Sequence, residues 1–165
     1  MTVDDITALV DYHYWARDRL MAAVEPLTDE QRTRDLGSSF KSIHDTLAHL
    51  VAAEWAWHSR WRGVSPTSLE QAGEFPDFAT VRTRWAGLEQ QIRAYVAEAG
   101  AGGLERVYDY KSLAGAAGRA PLWQMVQHVV NHASYHRGQV TTMLRQIGAA
   151  PAKSLDLIAF YRERA

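Results

Sequence analysis

Apolar residues recur along this chain at helical spacing, in four long runs divided by helix breakers. Ile6, Leu9, Val10, His13, Leu20 and Val24 share one stripe, which predicts a first helix from about Asp4 to Val24 with Pro26 as its stop. Ser39 and Ser42 both offer an N-cap for a second helix running to about Trp61. Gly63 and Pro66 then open a polar stretch that lasts to Pro76. A third helix is predicted from about Asp77 to Glu98, closed by Gly100 and the Gly102-Gly103 pair. Val107, Tyr108 and Tyr110 are strand-like, and Gly115 and Gly118 suggest a turn, so Leu104 to Arg119 is read as a short hairpin or extended loop. Pro121 suits the first turn of a fourth helix that continues to Ile147, with Gly148 as its stop. At 1.5 Å per residue that helix is roughly 40 Å long. Ser154 then caps a short last helix, Leu155 to Arg164. Four long apolar stripes with short connections predict an all-α fold, a four-helix bundle with a hairpin or loop before its last long helix and a short C-terminal helix.

Composition narrows the picture. The 165 residues suit a single domain, 1–165, without internal repeat or linker. There is no cysteine, so thiolate nucleophiles, disulfides and cysteine-based zinc patterns are excluded, and a metal must be held by His, Asp or Glu. Eighteen basic and nineteen acidic residues are interspersed, which argues against nucleic acid or an anionic membrane as partner. No apolar run is long enough for a membrane span, and Asp4 and Asp5 stand where a secretory signal would carry basic residues, so a cytoplasmic location is expected. Six tryptophans and seven tyrosines supply core area. The surplus of apolar positions over one stripe per helix predicts a homodimer formed by helix packing.

Three of the seven histidines stand in the run HVVNHASYHRGQ: His128, His132 and His136. A spacing of four turns about 40° and rises about 6 Å, so neighbouring pairs can reach one metal from a single face. Leu122, Val129, Ala133 and Val140 mark the centre of this helix's stripe. His136 lies about 40° from it, His132 about 80° and His128 about 120°. His132 and His136 therefore point inward, and His128 towards the edge. Two inward rings need partners for four nitrogens; a metal would take one from each, while Tyr, Asp or backbone groups offer the alternative. A third ligand belongs on a facing helix. His44, His49 and His58 of the second helix and His13 of the first are all candidates, and periodicity does not choose among them.

Taken in order, YHYWARDRL (Tyr12–Leu20), SIHDTLAHL (Ser42–Leu50), PLWQMVQHVVNHASYHRGQ (Pro121–Gln139) and SLDLIAFYRE (Ser154–Glu163) resemble the DinB/YfiT-like family of metal-binding bundles over essentially the whole chain. The segment ending in HRGQ is the most specific. The resemblance implies one ligand from the second helix, His49 in TLAHL, and two from the last long helix, His132 and His136. His128 is then a pocket-edge residue, and His13, His44 and His58 are core histidines.

Three neutral imidazoles leave coordination positions open, as in catalytic zinc sites, and suit zinc, nickel or a similar divalent ion. Some members of the family are thiol S-transferases and some are damage-inducible proteins. The resemblance thus implies a metal-dependent transferase that activates a low-molecular-weight thiol from outside the chain for attack on an electrophile. A hydrolase using metal-bound hydroxide and a non-enzymatic metal-binding stress-response protein are the alternatives. The hydrolase would need a general base, for which Asp45, Glu54 and Asp109 are candidates, each also readable as a solvated or salt-bridged residue.

Overall fold

The computed structural model describes residues 1–165. Its elements are α1 (Val3–Val24), α2 (Asp29–Thr33), α3 (Ile43–Trp61), α4 (Phe78–Glu105), β1 (Val107–Lys111), β2 (Ala117–Pro121), α5 (Leu122–Gln146) and α6 (Leu157–Arg162). A single 3₁₀ turn, Leu69–Ala72, lies in the polar stretch between α3 and α4. Each helix start has a local cause. The Thr2 hydroxyl and Asp5 carboxylate exchange hydrogen bonds with each other's backbone amides at the head of α1. Ser42, one of the two expected caps, accepts from the Asp45 amide and starts α3, and Asp77 does the same for α4 through Thr80.

The long helices form the expected bundle. α1 and α3 each pack against both α4 and α5. Their stripes meet in one core that includes Ile6, Leu20, Leu47, Leu50, Trp61, Trp85, Leu122 and Val140, all almost fully buried. No helix is long and apolar enough to cross a membrane.

Four local differences from the sequence reading have physical reasons. α2 was not expected: it buries no residue and so leaves no apolar stripe, and it rests on a Thr28–Gln31 capping box. Helical structure continues beyond Glu98 to Glu105, but Gly100, at φ 56° and ψ −168°, breaks it into two pieces. Pro121 ends β2 and serves as the N-cap of α5 rather than its first helical residue. The last helix begins at Leu157 after Asp156, because Ser154 spends its hydroxyl on the Asp156 carboxylate, 2.9 Å away, instead of capping. The hairpin is antiparallel, pairing Tyr110 with Gly118. A β-carbon at Gly118 would stand 2.5 Å from the Tyr110 ring, so only glycine lets that ring lie across the strand. The hairpin is tied to α3, where the Arg60 Nε donates to the Lys111 carbonyl at 3.1 Å and Trp57 meets Tyr110 edge to face.

Candidate metal centre

Halfway along the α3–α5 seam, His49, His132 and His136 turn their ring nitrogens toward one point. The nitrogens all lie within 4.8 Å of one another. The Nε2 atoms of His49 and His132 are 3.3 Å apart, and those of His132 and His136 are 3.1 Å apart. Tetrahedral coordination with bonds of about 2.0–2.1 Å requires nitrogen separations of roughly 3.3 Å, which the His49–His132 and His132–His136 separations approach. His136 is buried and the other two rings are half-buried.

The protonation states suit the same purpose. His136 Nδ1 lies 2.7 Å from the Gln139 Oε1, which can only accept, so the ring's proton sits on Nδ1 and the Nε2 lone pair faces the cluster. Burial, reinforced by the neighbouring His136, lowers the pKa of His49 to about 4. Burial followed by His136, His49 and His128 lowers that of His132 to about 4. Both rings are therefore neutral ligands at pH 7. Phe40 lies flat on His49, with ring centres 3.9 Å apart and planes 17° from parallel, and meets His136 edge on. It reaches that position through a tight turn in which Lys41 adopts a φ of 59°.

The remaining histidines separate clearly. His128 is exposed and bridges the cluster to its rim, stacking toward His132 on one side and meeting Trp57 at 4.7 Å on the other. His44 Nε2 donates to the Phe75 carbonyl at 2.8 Å. His58 is buried between the Trp61 and Tyr95 rings. His13 Nε2 sits 2.9 Å from Glu54, outside the cluster of three.

None of the three acids considered as bases joins the cluster. Asp45 is exposed and holds Ser42 at the start of α3. Asp109 is exposed on the hairpin opposite Arg119. Glu54 is fully buried and accepts from His13, from Tyr14 at 2.5 Å and from Trp85 at 2.8 Å. Burial pushes its carboxyl up, and the His13 contact with the Tyr14 and Trp85 donors more than offsets this, holding it below the ordinary range. Sequence reasoning missed Phe40 and Gln139. Gln139 was visible as the residue one turn beyond His136, on its side of the helix; Phe40, outside any helix, left no periodic signal.

Residues 1–161 match the model of the DinB family. Protein DinB of Bacillus subtilis (strain 168) is 23% identical over 151 residues, spanning 87% of each chain. A crystal structure of a DinB-like protein from Bacillus cereus ATCC 10987 superposes with a TM-score of 0.61 at 17% identity, over 88% of this chain and 95% of that one.

Proposed function

This chain belongs to the DinB family, and from that premise we propose that it is a metal-dependent transferase in which His49, His132 and His136 hold one divalent cation and an external small thiol, losing its proton to solvent, forms a carbon–sulfur bond as the electrophile's leaving group departs or its epoxide carbon–oxygen bond opens. A divalent ion bound there supplies Lewis acidity, which lowers the pKa of a coordinated thiol or water. The chain's own residues do the rest. Three neutral rings would leave a bound cation's charge uncompensated, so the residues His49, His132 and His136 would favour an anionic partner such as a thiolate over a neutral one. Gln139 fixes the tautomer of His136. Phe40 shields the His49 and His136 rings from water. Trp57 and His128 form an aromatic wall on one side, and exposed Tyr135, 5.1 Å from the His136 ring, stands on another.

The observation that carries this reading is that the converging donors are all imidazoles, while Asp45, Glu54 and Asp109 are engaged elsewhere. A hydrolase needs a base that reaches its water, and a cysteine-free chain must take its thiol from solution. Imidazole donors suit zinc, nickel, copper or iron. The direct test is a panel of small thiols assayed against a haloarene and an epoxide, with and without metal. Metal-dependent conjugation is expected, saturating at a pH below the free thiol's own pKa, and it should vanish in His49→Ala while helical circular dichroism persists. Metal-dependent ester cleavage without conjugation would replace the transferase with a hydrolase. Tight metal binding without turnover would favour the stress-response metal binder. We further propose that two copies pair through helix packing, and light scattering should give the mass of two chains.

A further inference from the structure

The opposite side of α5 carries a second concavity. Ser134, Arg137, Thr141 and Arg145 lie about 100–180° around the helix from His136. With Tyr12 of α1 and the segment Ala152–Leu157 they line a cleft of about 620 Å³. That volume falls within the range of small-molecule sites, about 300–1,000 Å³. The segment closing it is pinned from below: the Tyr12 hydroxyl donates to the Leu155 carbonyl at 2.9 Å, and Arg19 donates to the Ser154 carbonyl at 3.1 Å.

Charge in the cleft is predominantly positive, three cations to one carboxylate. Arg137, Arg145 and Lys153 line it, and none of them pairs with a carboxylate. The one acid in the lining, Asp156, is exposed and accepts from the Ser154 hydroxyl, and it forms no ion pair with the three cations. Arg137 is the unusual member, at 1% exposure. Its guanidinium reaches no carboxylate: it donates to Ser134 Oγ at 2.8 Å, lies 3.3 Å from His13 Nδ1 and 5.5 Å from the centre of the Tyr12 ring, and its Nε has no partner. Glu54, the nearest buried acid, is separated from it by the His13 ring, and both its oxygens are taken. A buried guanidinium with spare donors and no direct counter-charge is costly unless an anion completes it.

We propose that this cleft is a binding site for a small organic polyanion bearing carboxylate or phosphate groups, with Arg137 at its base and Arg145 and Lys153 at its rim. The site does not depend on the metal reading. Its test is a two-dimensional amide NMR titration of the full chain with inorganic phosphate and with 3-phosphoglycerate. Saturable shifts are expected on Gly138, Thr141, Ser154 and Leu155, with 3-phosphoglycerate binding more tightly; equal affinity for the two probes would overturn the organic assignment. The exposed rim pair, Arg145→Ala with Lys153→Ala, should weaken binding roughly tenfold or more, tenfold being about 1.4 kcal/mol. The control pair Arg62→Ala with Arg106→Ala removes the same charge elsewhere and should change nothing. Arg137→Met should abolish binding; if that variant fails to fold, the rim pair decides alone. His49→Ala should bind as the parent does. Scattered or unsaturable shifts, equal weakening by the rim pair and the control pair, or loss of binding in His49→Ala would each overturn the proposal.

Discussion

Two histidine constellations lie in this bundle, and they differ in what each ring faces. His13 is surrounded by complementary groups: it gives its Nε2 proton to Glu54 and takes an Arg137 N–H on Nδ1, while Tyr14 and Trp85 complete the carboxylate. His49, His132 and His136 face one another, Nε2 toward Nε2, with no acid among them. In the first arrangement the His13 ring and the Glu54 carboxylate are satisfied, with only the Arg137 Nε left over, and it ties α1, α3, α4 and α5 together. The second is incomplete until something positive arrives. Burial alone does not distinguish them, since His136 and His13 are both buried; the chemical identity of the partners does.

That contrast is broken most sharply by removing a ligand. Alanine at His49, His132 or His136 should reduce bound metal from one ion per chain to almost none by elemental analysis, with the fold intact. Full occupancy in any one variant would remove that residue from the ligand set. The mirror experiment is Glu54→Leu, which strands the His13, Tyr14 and Trp85 donors beside a buried arginine. It should cost about 3–5 kcal/mol in urea unfolding while leaving metal stoichiometry at one. If Glu54→Leu emptied the metal site instead, the two constellations would be one unit. A smaller effect belongs to Gln139→Leu, which frees the His136 tautomer and should weaken metal affinity by about 10–100-fold without unfolding the protein.

The smallest effect is a pH dependence that separates the two regions. In the metal-free chain His49 and His132 stay neutral down to about 4, whereas their unfolded rings take up protons near 6.5. The unfolded state binds more protons between those values, so stability should fall as pH drops from about 6.5 to about 4, and not above. Glu54, held below its ordinary 4.5, keeps its contribution down to about 4.5 and loses it as pH falls further. Urea midpoints taken in steps across this range should show the first loss flattened in a His49→Ala, His132→Ala double variant. An unchanged profile in that variant would assign the loss to other groups.

Much of this was legible in the chain. α5 announces itself through Pro121, an unbroken period and Gly148, and the inward direction of His132 and His136 followed from the same stripe. The third ligand was not legible from periodicity, because 13 of the 19 residues of α3 are buried and its apolar face has no single direction; only the likeness of the TLAHL segment pointed to His49. Phe40 and Arg137 escaped for a different reason. The position of Phe40 depends on a turn at Lys41, and the isolation of Arg137 depends on what three other elements fail to supply. Neither is a property of local spacing.

The sequence distance between the ligands has one more consequence. His49 and His132 stand 83 positions apart, so an ion shared between them would close a loop of that length as a cross-link does. Chain-entropy arithmetic for such a loop gives about 4–5 kcal/mol against the unfolded state. In a chain without cysteines this would be the only covalent-like staple, and unlike a disulfide it could be withdrawn by a chelator. Resistance of the protein to proteolysis would then track the supply of the ion, making its lifetime a gauge of metal availability.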